Sequence, residues 1–234
     1  MGNARYVGRI GALAVALGIG VGLAATPWAA SAEPGNGQGN GQNMSVSTNG
    51  EVRVQKGTTT TATSDGQGSV AIAKGENSSA TATGGDHNKA FVNGDGSAAR
   101  ATDGNGNTAR VTGDVSVATA SSGDNNTATV HGDFGFVTAS SGDNNTATAD
   151  GRLARVDAGF GNNNTATVTG DISSAAAVGG NNNTATVTGD SSNAGAVGNN
   201  NTATVTGDGS IAVAQSPTGC TASVSGDGGF DSCF

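Results

Sequence analysis

The nine residues Asn163-Asn-Thr-Ala-Thr-Val-Thr-Gly-Asp171 return nearly verbatim from Asn182 to Asp190 and from Asn200 to Asp208. Looser copies run from Asn125 to Asp133 and from Asn144 to Gly151. The Asn before Thr-Ala falls at Asn107, Asn126, Asn145, Asn164, Asn183 and Asn201, in steps of 19, 19, 19, 19 and 18 residues. A fixed period of this length marks a solenoid. One such unit cannot bury its apolar face alone, and stacked neighbours can. Composition agrees: with 41 Gly and 3% aromatic residues, the chain lacks the large side chains that fill a wide core. A thin core of Ala and Val, repeated along a line, is the burial left open to it.

Each unit divides into two halves. With the Asn as position 1, positions 3 and 5 are Ala or Val, as in Ala109 and Val111, Ala128 and Val130, and Ala166 and Val168. Position 7 is Gly and position 8 is usually Asp. Small residues return at positions 10, 12 and 14, as in Ser116, Ala118 and Ala120, or Ser173, Ala175 and Ala177. Alternation bounded by Gly-Asp and Gly-Asn predicts strand, turn, strand, turn. Gly supplies positive φ, and Asp or Asn caps the turn through its own backbone. The fold class is therefore all-β, a flattened β-solenoid with two short strands per coil. Extending the frame in both directions gives ten coils, starting at residues 50, 69, 88, 107, 126, 145, 164, 183, 201 and 220. Facing strands run in opposite directions, so position 1 opposes 14, 3 opposes 12, and 5 opposes 10. Inward Asn at position 1 is expected to form a ladder, each amide bonding the next.

The ends differ from the repeats. Residues 1–32 read as a signal peptide: Arg5 and Arg9, an apolar stretch from Ile10 to Ala25, and an Ala30-Ser31-Ala32 cleavage site. Residues 33–45 read as a flexible Gly/Asn/Gln linker, and residues 46–234 as the solenoid domain. Loss of the leader leaves no membrane span. It also leaves 8 of the 10 basic side chains against 18 acidic ones, which disfavours nucleic acid or anionic lipid as partners. Cys220 and Cys233, at positions 1 and 14 of the last coil, face each other in the pairing above. An even Cys count in an exported chain then predicts a disulfide closing that coil, with Phe230 and Phe234 covering the exposed core there.

No catalytic cluster stands out. His87 and His131 are isolated, and the Gly-rich segments lack the Gly-Lys-Ser/Thr of a phosphate loop. The Asp column at position 8 (Asp95, Asp114, Asp133, Asp171, Asp190, Asp208 and Asp227) would repel itself, but the Ca²⁺ β-roll motif G-G-x-G-x-D-x-U-x is absent. No metal or cofactor is assigned, and the chain is expected not to be an enzyme. The Asn-x-Thr sequons are products of the repeat. The unusual surface is outward, at positions 2, 4 and 6: Thr165, Thr167 and Thr169; Thr184, Thr186 and Thr188; Thr202, Thr204 and Thr206. This Thr grid is the candidate interaction face.

Gly161-Asn-Asn-Asn-Thr-Ala-Thr-Val168 resembles the G-x-x-N-x-A-x-V heart of curlin repeats, the subunits of bacterial functional amyloid. The Gln ladders of that family are missing. Gly68-Ser-Val-Ala-Ile-Ala-Lys-Gly75 resembles the head repeats of trimeric autotransporter adhesins, without their stalk or translocator. The leader resembles those of actinobacterial, including mycobacterial, secreted proteins. These resemblances imply a secreted or cell-surface structural protein, adhesin-like or a matrix component. Its partners would be itself or surface and matrix components. The T-x-T pattern also resembles ice-binding solenoids, which gives the alternative reading.

Overall fold

The computed structural model describes residues 43–234. The expected signal peptide, and the linker as far as residue 42, lie outside the described residues. Every regular element among the described residues is a strand. The 21 strands form one 11-stranded and one 10-stranded sheet. Nine full coils stack from Val70 to Cys233, each placing one strand in each sheet. Parallel pairing sets equivalent positions directly above one another: Ala166 pairs with Ala185, and Ala185 with Ala203.

The first of the ten expected coils does not form. Gly50 is instead the second residue of a two-residue turn, with Asn49 at φ 50° and Gly50 at φ 84°. Asn-Gly with both φ values positive is the type I′ hairpin signal. It joins β1 (Met44–Thr48) to β2 (Glu51–Lys56) and reverses the chain. Strand β1 therefore runs antiparallel both to β2 and to the Val70–Lys74 strand of the first coil. β3 (Thr61–Ser64) then opens the second sheet. β2 forms the N-terminal edge of the first sheet, with Glu51, Arg53, Gln55 and Lys56 exposed and a Glu51–Arg53 ion pair at 2.9 Å. Charged edge strands resist pairing with another chain.

The core is as thin as the composition requires. Ala71, Ala90, Ala109, Ala128, Ala147, Ala166, Ala185, Ala203 and Ala222 form an unbroken buried column at position 3. Position 5 does oppose position 10. A Cβ built on Gly135 would fall 2.6 Å from Val130 Cγ1, and one on Gly229 would fall 2.4 Å from Val224 Cγ1. Val at position 5 thus requires a small residue opposite, since interiors are close-packed. Position 10 is small throughout, with Ser116 opposite Val111, Ser173 opposite Val168 and Ala154 opposite Ala149, all buried.

Polar ladders flank this core. The Asn column is present, but its bonding differs from amide-to-amide stacking. Each Asn Oδ1 accepts the main-chain N–H of the next Asn: Asn107 N donates to Asn88 Oδ1 at 2.9 Å, and Asn126 N to Asn107 Oδ1 at 2.9 Å. The side-chain NH₂ of most of the column turns to nearby carbonyls, as Asn107 Nδ2 does to Thr102 O (3.2 Å) and Gly123 O (2.8 Å), whereas Asn145 Nδ2 is buried without a hydrogen-bond partner. Position 1 sits at a corner, where Gly123 O has the Asn amide as its partner and Thr102 O accepts both the amide and the Ser122 N–H of the next coil, at 3.3 Å. Amide-to-amide bonds occur at Asn183→Asn164 (3.1 Å) and Asn201→Asn183 (3.3 Å). Ser at position 10 serves the opposite corner: Ser192 N donates to Ser173 Oγ, and Ser210 N to Ser192 Oγ, each at 3.1 Å. These bonds matter because a buried, unpaired backbone N–H costs about 1–3 kcal/mol.

In the last coil the Cys220 and Cys233 sulfurs lie 2.06 Å apart, with Cα atoms at 6.1 Å. Phe230 and Phe234 do not cover the core; they are 69% and 81% exposed. Strand parity decides this for Phe230, which follows Ile211 in the outward column at position 11. The inward position 12 holds Asp231, whose carboxylate accepts Ser223 N–H at 2.6 Å. Breaking the 13-residue Cys220–Cys233 link with Cys233→Ser is expected to destabilise the chain by about 3 kcal/mol. Intact mass of the non-reduced protein checks the premise, and two free thiols would refute it.

Candidate interaction face

The three strands Thr165–Thr169, Thr184–Thr188 and Thr202–Thr206 carry the same pentapeptide in perfect register. All nine candidate Thr project outward from the 11-stranded sheet, alternating with buried Ala and Val. Position 2 (Thr165, Thr184, Thr202) and position 4 (Thr167, Thr186, Thr204) are half-buried, because each packs against its copies one rung away. Position 6 (Thr169, Thr188, Thr206) is exposed. Rungs repeat at ~4.8 Å and outward residues along a strand at ~6.7 Å. Thr is stiff at χ1, so methyls and hydroxyls recur at those spacings.

The grid extends further along one column than the three-coil set suggests. Position 2 is Thr from Thr108 through Thr127 and Thr146 to Thr221. Thr108 was legible in the repeat frame, two residues before Arg110. Toward the N-terminus the face changes character. Position 4 becomes Arg110, Phe91 and Ile72, and these line a shallow depression of about 340 Å³ with Lys74. Position 6 carries His131 and Asp150. The outward face of the other sheet is irregular, with Arg155, Asp157, Ala176, Gly195 and Val213 among its positions.

The Asp column at position 8 has a structural use. Each Oδ1 accepts the N–H of the same position one coil earlier: Asp95 N donates to Asp114, Asp114 N to Asp133, and Asp171 N to Asp190, all at 2.8 Å. A second column at the opposite turn repeats this, with Asp124 N donating to Asp143 at 2.8 Å and Asn162 N to Asn181 at 2.7 Å. The carboxylates thus hold turn to turn through backbone hydrogens. Among the described residues no three His, Cys, Asp or Glu side chains gather as metal ligands. His87 and His131 are both exposed and lie in separate coils. No helix among the described residues is long and apolar enough to cross a membrane. In comparisons with protein-family models, curated proteins and solved structures, the chain matches none.

Proposed function

We propose that the chain is an exported, non-enzymatic structural repeat protein that docks an extended partner on its Thr face. The observation that carries this is the in-register set of nine Thr on one sheet, set against an irregular opposite face. Repetition presents one chemistry many times, which suits an extended, repeating partner: a surface or matrix polymer, or another sheet. It does not build the unique concave cluster of polar groups that catalysis needs. The Arg5/Arg9 leader with its Ala30-Ser31-Ala32 site supports export to the surface or the medium. The curlin-like Asn-Asn-Thr-Ala-Thr-Val units support a matrix role. The charged β2 edge and the inward Asp231 argue that such a role would run through the face rather than through end-to-end strand addition.

The regular spacing of Thr also favours a second reading, ice binding. Thermal hysteresis and ice-recrystallisation assays on the mature protein separate the two. Thr186→Tyr interrupts the centre of the grid and leaves the core untouched. Hysteresis lost in that variant would establish ice binding. Absence of hysteresis, with retention on insoluble cell-surface or matrix polymer reduced by the same substitution, is the result expected here.

A further inference from the structure

The first turn of every coil passes through positive φ at position 9. Asn77, Gly96, Ser191, Gly209 and Gly228 occupy it toward the two ends of the stack. Gly and Asn adopt this conformation readily. The four central coils instead carry Val115, Phe134, Leu153 and Ile172, at φ 55°, 58°, 56° and 58°. Bulky and β-branched side chains are disfavoured there. Nor does burial explain them: they are 48%, 41%, 50% and 64% exposed. They form one unbroken apolar ridge along a corner, three rung steps or ~14 Å long. Phe136, 56% exposed, stands beside it on the adjoining strand.

Charge around the ridge is arranged asymmetrically. Position 8 of the four coils reads Asp114, Asp133, Arg152 and Asp171, so a single coil replaces the acid with a base. Position 11 of that same coil is Arg155. The Arg152 guanidinium lies over the Phe134 ring, 5.9 Å from its centre. Arg152 has no carboxylate within ion-pair distance among the described residues, and Arg155 pairs with Asp157 at 3.2 Å.

We infer that this ridge is a homodimer interface, and that its occupant is a second copy of the chain lying antiparallel. The two-fold axis lies in the interface, perpendicular to the stack, between the coils of Phe134 and Leu153. That operation keeps each position opposite itself and reverses the coil order. It sets Phe134 on the partner's Leu153 and Val115 on the partner's Ile172. It brings Asp133 opposite the partner's Arg152, and Phe136 opposite the partner's Arg155, a cation–π arrangement. A parallel two-fold would set Arg152 against the partner's Arg155, like on like at the centre of the ridge, where the antiparallel one gives Arg152 the partner's Asp133 instead. Away from the centre like charges meet at position 8: Asp95 with the partner's Asp190, Glu76 with the partner's Asp208 and, at the rims of the ridge, Asp114 with the partner's Asp171. There each carboxylate already accepts a backbone N–H, from Asp95 and Arg152 respectively. The same operation leaves both Thr faces on one side, doubling the width of that surface.

Four rungs make a small contact, at the weak end of specific interfaces. Sedimentation velocity is therefore run on the full chain from micromolar to millimolar concentration. A shift from monomer to dimer is expected, with no larger species, because a two-fold contact closes. Phe134→Asn combined with Ile172→Asn installs the residue that position 9 already holds at Asn77. The expected signature has opposite signs: melting temperature rises as the strained turns relax, and dimerisation weakens at least tenfold. Arg152→Asp is expected to weaken the dimer as well, and adding Asp133→Arg to restore it. Thr186→Tyr leaves the ridge untouched and should not alter dimerisation, so this inference and the docking role of the Thr face stand or fall separately. A chain monomeric at millimolar concentration overturns the inference, as does self-association unchanged by the paired Asn substitutions. So does a monomer that binds phosphatidylcholine vesicles through the ridge.

Discussion

Lys in place of Ala166 is expected to unfold the central coils, while Lys at Thr165, one residue earlier, leaves them standing. Ala166 is fully buried, with Ala147 and Ala185 directly above and below it. The core at this level is Ala against Ala, so four methylenes and an ammonium have neither room nor a polar partner. Overpacking costs about 1–3 kcal/mol, and a buried unpaired charge adds several more. The sum exceeds about 4 kcal/mol, which is outside the range of ordinary substitutions. Thr165 points outward and is half-buried among Thr146 and Thr184. A Lys there can run along the face with its charge in water, at a cost of about 0.5 kcal/mol. Circular dichroism melts of the two variants give the answer. Because each coil contacts only its neighbours, the Ala166 variant is expected to split the transition, the coils on either side melting apart. The opposite ranking would mean that the strands are slipped by one residue.

That register was readable from sequence because a period of two within a period of 19 leaves no freedom. Once Ala128, Ala166, Ala185 and Ala203 share a face, Thr127, Thr165, Thr184 and Thr202 must occupy the other. The opposition of Cys220 to Cys233 follows from the same count. Periodicity misleads where a local signal outranks it. The frame places a coil start at Gly50, but Asn49-Gly50 is a hairpin turn in its own right, and chain reversal there removes the first of the ten coils. The single 18-residue step has an equally local cause. The deletion falls in the second turn, where Gly180 stacks on Gly198 and the preceding Gly179 has no counterpart. The Asn-Asn pairs were visible as a pattern without showing their division of labour. Asn163 takes the positive φ (59°) and Asn164 turns inward to the ladder. Phe230 is large and apolar yet exposed, because strand parity and not size decides which side chains face inward. The Val115, Phe134, Leu153 and Ile172 column was legible in the same frame, but apolar residues at a turn position give no strand or helix signal.

Gly170→Ala is expected to cost at least about 3 kcal/mol, although it adds a single methyl at the surface end of a strand. Gly170 sits at position 7 with φ 141°, a conformation all but closed to side chains. The added Cβ would also lie 2.2 Å from the carbonyl oxygen of Gly189, the same position one coil on. The neighbour is held in place, because the Gly189 N–H donates to Thr169 O at 2.9 Å. The two causes can be separated within the molecule. Gly226 holds position 7 of the last coil at φ 110°, and a Cβ there meets nothing within 4 Å, because no coil follows. Gly226→Ala therefore reports the backbone cost alone, about 1–3 kcal/mol. Gly170→Ala reports that cost plus the clash between coils. Chemical denaturation of both variants is expected to show the central substitution as the more damaging by at least 1 kcal/mol. Equal losses would mean that the turns tolerate a wider spacing, and that Gly recurs at position 7 only for its positive φ. The expected difference instead makes stacking itself the reason. Coils ~4.8 Å apart leave no volume for a side chain at that corner, so a single residue type must recur there for as long as the stack continues.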